Sequence, residues 1–354
     1  MRVDHFNMRF IPFFLFMALV AFGQNKKDTV SIIGVGDIMM GSNYPDATGL
    51  PPNQGRDLMK AVNEILSSAD VTVGNLEGVL LNDGGTPKTC RDPKVCYVFR
   101  SPVQFVENLS AAGFDIMCLA NNHAGDFGES GRKSSMQTLE QAGIAHAGQL
   151  SQPYTIVEKD GIRFGFCAFA PNSNCVPLND WNGARAVVQA LDSLADVVIV
   201  GFHGGAEGAQ YQHVPRKEEI FHGENRGNVY GFAHALIDAG ADVVLGHGPH
   251  VTRAIEVYND RFIAYSLGNF CTYGGINVSG VNGLAPIVKV FTNSTGRFYR
   301  AHITATHQRF RGNVEIDPQK LVIQRIKALT REDFPETPII IQDDGWVFSS
   351  TKPR

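Results

Sequence analysis

Val30-Ser31-Ile32-Ile33-Gly34-Val35-Gly36-Asp37 is a β-branched run that stops at once in a glycine and a carboxylate. The run reads as a buried strand, and its abrupt polar ending marks where the strand leaves the core. The same design recurs four times. Residues 71–73 run into Gly74-Asn75-Leu76-Glu77, and residues 115–119 into Asn121-Asn122-His123. Residues 197–202 run into His203-Gly204-Gly205, and residues 243–245 into Gly246-His247-Gly248-Pro249-His250. Helices are predicted between the strands: over 57–68, from Ser101-Pro102 to Gly113, and over 130–142 ahead of Gly143. Residues 162–168 add another buried strand. Short apolar strands alternating with helices predict an α/β fold with a largely parallel sheet. In such a sheet the carboxyl ends of the strands lie along one edge, where ligands bind.

Beyond Thr252 the pattern changes. Residues 254–258, 261–267, 286–291 and 298–306 read as successive strands, with turns at Asn259-Asp260 and Ser294-Thr295-Gly296. They predict a second, more antiparallel sheet packed on the first. A helix over 318–329 and an extended tail follow. No repeat, low-complexity segment or linker divides the chain. The expected organisation is one domain over 29–310 with a C-terminal extension over 311–354.

Composition limits the function. The chain of 354 residues is 44% hydrophobic and 19% charged, as packed proteins are. Its 31 Lys+Arg against 35 Asp+Glu leave no basic surplus, which argues against a nucleic-acid partner. Residues 11–22 are almost wholly apolar and follow Arg2 and Arg9. The run is short of the roughly 20 residues that span a bilayer. It predicts a signal peptide over 1–23, cleaved after Gly23, and hence an exported protein: periplasmic, cell-surface or secreted. Export permits oxidation. Cys90 and Cys96 bracket a polar segment and are expected to form a small disulfide loop. Cys118 and Cys167, within apolar runs, are expected to be buried thiols. Cys175 and Cys271 have no assignment, and no CxxC spacing suggests a structural zinc cluster.

The strand endings carry coherent chemistry. Asp37 and Glu77 offer hard anionic oxygens, Asn122 a neutral carbonyl oxygen, and His203, His247 and His250 imidazole nitrogens. Mixed nitrogen and oxygen ligation predicts one or two divalent transition-metal ions, Mn, Fe or Zn, rather than calcium.

These endings, with Gly36-Asp37-Ile38-Met39-Met40-Gly41 and Ser266-Leu267-Gly268-Asn269-Phe270, run in order from residue 31 to about residue 270. As a set they resemble the CapA family of capsule and poly-γ-glutamate synthesis proteins, which is similar to the calcineurin-like metallophosphoesterases. The resemblance implies a four-layer α-β-β-α sandwich with a metal centre at the sheet edge. It implies that Asp37 and His250 hold one ion, that Glu77 bridges to a second, and that Asn122, His203 and His247 hold that second ion. His123 becomes the general acid, with an activated water as nucleophile. Asn75, Asn121 and Asn269 are expected to bind substrate, Asn269 also by hydrogen-bonding the crevice loops. Two positions depart from the metallophosphoesterase pattern: Met39 stands where a histidine is usual, and Asn75 where a bridging aspartate is usual.

The implied function is metal-dependent hydrolysis in capsule or poly-γ-glutamate biosynthesis, on a small phosphoester or an acidic γ-glutamyl polymer. The alternative is a non-catalytic component that binds the polymer. The implied partner is a membrane-associated capsule synthesis assembly. His213, His222 and His234 are expected to be surface or helix residues, and Glu207 an exposed loop carboxylate. Asp126 and Glu129 are expected to cap the following helix, and Arg91 and Lys94 to sit in a solvated loop.

Overall fold

A computed structural model describes Met1 and residues 27–90 and 96–350. The expected signal peptide, Arg91 and Lys94 lie outside the described residues. Among the described residues, no helix is long and apolar enough to cross a membrane.

In chain order, β1 (Thr29–Met39), α1 (Asn63–Leu66), β2 (Val71–Leu76), α2 (Val106–Ala112) and β3 (Ile116–Cys118) come first. Then follow α3 (Gly128–Gln141), β4 (Ala145–Ala147), β5 (Tyr154–Lys159), β6 (Ile162–Phe169) and α4 (Trp181–Asp192). The next are β7 (Val197–His203), α5 (Val229–Ile237), β8 (Val243–His247), β9 (Ile255–Tyr258) and β10 (Arg261–Ala264). The chain continues through β11 (Asn269–Thr272), β12 (Leu284–Asn293) and β13 (Phe298–His307). It closes with α6 (Leu321–Asp333), β14 (Ile339–Ile341) and β15 (Trp346–Ser349).

Two large sheets result. The first has the order β14-β15-β13-β12-β1-β2-β3-β4, and β11 also pairs with the end of β1. Its β1-β2-β3-β4 half is parallel, and its β1-β12-β13-β15-β14 half is antiparallel. The second has the order β9-β10-β8-β7-β6-β5, parallel from β10 to β6 with an antiparallel strand at each edge.

This corrects the expected partition. The strands beyond Thr252 do not form a sheet of their own. β12 and β13 extend the first sheet from β1, while β9 and β10 extend the second from β8. The physical reason is that periodicity reports which face of a strand is buried, whereas the partner at its edge is chosen over long range. The expected four layers are present. Inner faces of both sheets meet in a core containing Ile32, Val73 and Ile116 from one and Phe166, Ile199 and Leu245 from the other. Leu66, Leu109 and Leu139 from α1–α3 cover the outer face of the first sheet. Val188 and Leu236 from α4 and α5 cover that of the second. α6 places Ile323 and Ile326 in the inner core and Leu329 in the outer one, and so closes the sandwich at its side. Residues 311–350, expected as an extension, contribute this helix and two strands of the first sheet.

Local chemistry explains the element ends. Asp180 and Asn228 accept from the backbone N–H of Gly183 and Gly231 and so cap α4 and α5. Gly113, with φ of 86°, ends α2 in the left-handed region. Ser101 is not a cap: its hydroxyl donates to the Gly41 carbonyl at 2.7 Å, and Pro102 opens a short 3-10 turn instead. The helix expected over 57–68 is mostly turns, with only α1 helical. The Cys90–Cys96 disulfide forms as expected, and Cys118, Cys167, Cys175 and Cys271 are buried thiols.

Candidate metal centre

The parallel registers bring the strand endings together. His203 at the end of β7 lies opposite His247 at the end of β8. Asp37 near the end of β1 lies opposite both Asn75 and Asn269. Close backbone crossings allow this. A Cβ on Gly36 would stand 2.0 Å from the Gly268 carbonyl oxygen, where Asp37 N–H now donates at 2.8 Å. A Cβ on Gly248 would stand 2.8 Å from the Gly204 carbonyl oxygen, so the second histidine-bearing turn nests against the first only because Gly248 lacks a side chain.

Asp37, Glu77 and His250 converge with their ligand atoms within 4.8 Å of one another. His250 Nδ1 is 3.0 Å from Asp37 Oδ2, and His250 Nε2 is 3.5 Å from Glu77 Oε1. His247 Nδ1 is 3.4 Å from Asp37 Oδ1, and His203 Nε2 is 3.9 Å from Glu77 Oε1. All five of these side chains are buried. Yet both Glu77 oxygens, both His203 nitrogens, His247 Nδ1 and Asn122 Oδ1 have no hydrogen-bond partner. Each such group costs about 1–3 kcal/mol when buried unsatisfied. Those of Glu77, His203 and His247 lie together beside Asp37 and His250, all of metal-ligand type, and fit a divalent cation.

Electrostatics agree. Burial pushes the Glu77 carboxyl up to about 8 against the opposing charge of His250, and Asp37 adds to the rise. Burial also acts to raise Asp37, but the imidazoles of His247 and His250 beside it overcome this and hold the carboxyl well below the usual range. Burial disfavours charge on His250 as well, yet Glu77 and Asp37 raise it to about 10. His203 is held well below its ordinary value by burial, with Arg226 acting in the same direction.

The amides form a scaffold behind these groups. Asn75 Nδ2 donates to Asp37 Oδ1 at 2.8 Å, and Asn121 Nδ2 donates to Asn75 Oδ1 at 3.0 Å. Asn121 Oδ1 in turn accepts from the His123 backbone N–H at 3.0 Å. Asn269 Nδ2 donates to the carbonyls of His250, Asn277 and Asn282. Asn75, Asn121 and Asn269, expected to meet substrate, are therefore buried with their amides committed to neighbours.

Asp126 is not a helix cap; Phe127 occupies that position and no side chain caps α3. Asp126 is fully buried, and its Oδ2 accepts from His123 Nδ1 at 2.7 Å and from the Phe99 backbone N–H at 2.7 Å. Its other oxygen pairs with Lys88 Nζ at 2.6 Å. The carboxylate fixes the Nδ1–H tautomer and leaves His123 Nε2 free for proton transfer. Burial lowers the pKa of His123, and the charge of Asp126 opposes that shift. The ring of Phe99 packs on His123 at 4.4 Å between centroids.

Sequence reading missed Lys88, Phe99 and Arg226; it did weigh Asp126, three residues after His123. Arg226 is buried, reaches Glu207 through Nη2 at 2.9 Å, and leaves Nε unbonded. Glu207 is thus half-buried and paired rather than a free loop carboxylate. Glu129 pairs with Lys133 on the surface, and His213 and His234 pair with Asp333 and Glu256 away from the site.

A two-sheet sandwich flanked by helices, with aspartate, glutamate and histidine gathered at its strand ends, defines an α/β sandwich protein with a candidate metal site. Within that class, residues 31–273 match the family described as bacterial capsule synthesis protein PGA_cap, and the chain belongs to this family. It is 29% identical to the capsule biosynthesis protein CapA of Bacillus anthracis, over 72% of this chain and 62% of that protein. The match therefore spans less than two thirds of that relative's length. Identity to the PGA biosynthesis protein CapA of Bacillus subtilis (strain 168) is 27%, over 77% of this chain and 70% of that protein. A solved structure, a hypothetical protein from Thermus thermophilus, aligns with a TM-score of 0.49 at 15% identity, over 79% of this chain and 100% of that chain.

Proposed function

We propose that this chain is a metal-dependent hydrolase acting in the synthesis of an acidic capsule polymer, on a phosphoester or a γ-glutamyl bond. The observation that carries this reading is the set of buried, unpartnered ligand atoms on Glu77, His203 and His247, gathered around Asp37 and His250, with Asn122 Oδ1 also unpartnered. Asp37, Glu77, Asn122, His203, His247 and His250 would hold an Mn, Fe or Zn ion, which would supply Lewis acidity toward the scissile group and toward water. His123, oriented by Asp126, delivers a proton from Nε2 to the leaving group. Asn75 and Asn121 keep Asp37 and His123 in fixed relation through their amide chain. The proposed setting is outside the cytoplasm, beside a membrane-associated capsule synthesis assembly; the capsule and PGA biosynthesis relatives support the capsule context.

Elemental analysis of the purified protein, beside Asp37→Ala and His203→Ala, tests the proposal. About two transition-metal ions per chain, lowered by each substitution, are expected, together with turnover of a phosphoester or γ-glutamyl panel. Absence of metal after supplementation, or loaded protein inert across the panel, would overturn it. A second reading, a non-catalytic polymer-binding component, is favoured by Met39. Its sulfur accepts from the Gly41 N–H at 3.3 Å and gives the first ion no imidazole. A single ion per chain, lost only with His203→Ala, together with an inert panel, would favour that reading.

A further inference from the structure

Beside the metal centre lies a cavity of about 280 Å³ walled by Met39, Tyr44, Tyr97, Phe99, Tyr273 and Arg311. It shares structure with the site. Met39 ends β1 two residues beyond Asp37, and the Phe99 ring that lines the cavity packs on His123. The Phe99 ring is thus shared by the cavity wall and the general acid, and a group bound in the cavity stands one ring away from His123.

Two consecutive glycines keep the space open. A Cβ on Gly275 would come 2.8 Å from the Phe99 ring and 3.4 Å from the Met39 methyl. A Cβ on Gly274 would lie 3.6 Å from Arg311 Nε, so the guanidinium rests across bare backbone. Both glycines sit at positive φ, 75° and 74°. Among the described residues, Arg311 has no ion pair and is the only cationic residue lining the cavity. Four aromatic rings, Tyr44, Tyr97, Phe99 and Tyr273, join Met39 in walls that accept methylene groups. One planar guanidinium matches one carboxylate through two parallel hydrogen bonds, whereas a phosphate dianion calls for more positive charge. At this volume, the cavity admits one small unit rather than a length of polymer.

We propose that this cavity is the subsite for the departing half of the substrate and takes a carboxylate on a short aliphatic stem, paired by Arg311. The assignment to the departing half rests on the hydrolase reading given above; the carboxylate recognition does not. Binding by the metal-free, full-length protein tests it directly, with γ-glutamyl-glutamate as probe and its fully amidated form as neutral control. Calorimetry is expected to show the dipeptide binding wild type and weakening about tenfold or more in Arg311→Ala, the effect of losing a charge-assisted pair. Arg311→Lys, which keeps charge but not the fork, is expected to fall between them. The amidated probe is expected to bind wild type as weakly as the dipeptide binds Arg311→Ala, and inorganic phosphate not to compete. Equal dipeptide affinity in wild type and Arg311→Ala, or full competition by phosphate, would overturn the proposal. Turnover whose KM ignores Arg311 would sink the subsite and leave the hydrolase standing. Arg311-dependent binding without any turnover would sink the hydrolase and leave a carboxylate-binding site.

Discussion

His250 holds a left-handed backbone at φ of 56°, a conformation that costs a non-glycine residue on the order of 1–3 kcal/mol. Asn269 and Asn282 both donate to its carbonyl, at 3.1 and 3.3 Å, and so lock that strained turn in place. The turn sets the imidazole between Asp37 and Glu77, where its protonated form acts as the cation of the metal-free protein. With its pKa raised to about 10, His250 contributes stability that is full below its ordinary 6.5 and lost as pH rises through 10. Glu77, raised to about 8, adds a cost that grows between its ordinary 4.5 and about 8 and is constant above that. The thermal midpoint of metal-free protein is therefore expected to fall between pH 7 and about 10, and that of loaded protein to fall less. Scanning calorimetry of both forms across that range checks it; parallel curves would refute it. Asp126→Asn is expected to lower kcat about 10- to 100-fold with metal content unchanged, because the amide can present the wrong group to His123 Nδ1. Steady-state kinetics paired with elemental analysis separates that outcome from loss of the metal.

Between β7 and α5 the chain makes a long excursion that carries Glu207, Glu219 and Arg226, and one buried ion pair holds it down. Arg253 Nη1 and Nη2 each meet a Glu219 carboxylate oxygen at 2.8 Å, and Arg253 Nε donates to the Tyr211 carbonyl at 2.8 Å. Arg253 is fully buried, so Glu219→Ala strands a guanidinium and is expected to cost about 3–5 kcal/mol. Denaturant unfolding measures it, and a loss below about 1 kcal/mol would mean water reaches the pair. The strand endings were legible because each compresses the signal into a few positions: an apolar run, a glycine and a ligand-type side chain. Asp126, Lys88 and Arg226 were not, since loops rather than strand registers deliver them. A carboxylate ahead of a helix reads as a cap until the orienting bond to His123 is seen. Likewise, buried asparagines look like substrate contacts until their amides are found spent on Asp37 and on each other.

The whole molecule interleaves its ends. β1 pairs on one side with β2 and on the other with β12, while the intervening chain builds the second sheet. Strand existence was legible from apolar runs, but this return was not, because nothing in the β12 pattern names β1 as its partner. The last strands matter for the same reason. β15 covers β13 and buries Val347 in the inner core, so removing residues 339–350 uncovers a long antiparallel edge. That truncation is expected to lower the thermal midpoint and to cause light scattering on heating; an unchanged midpoint would show the pair to be dispensable. The pairing of β1 with β12 also governs birth order. At ribosomal speeds of roughly 5–20 residues per second, β12 emerges about 250 residues and some tens of seconds after β1. Throughout that delay a nascent, strongly apolar strand stands half-dressed, and the yield of native protein from a translating cell is expected to follow its supply of holdase chaperones.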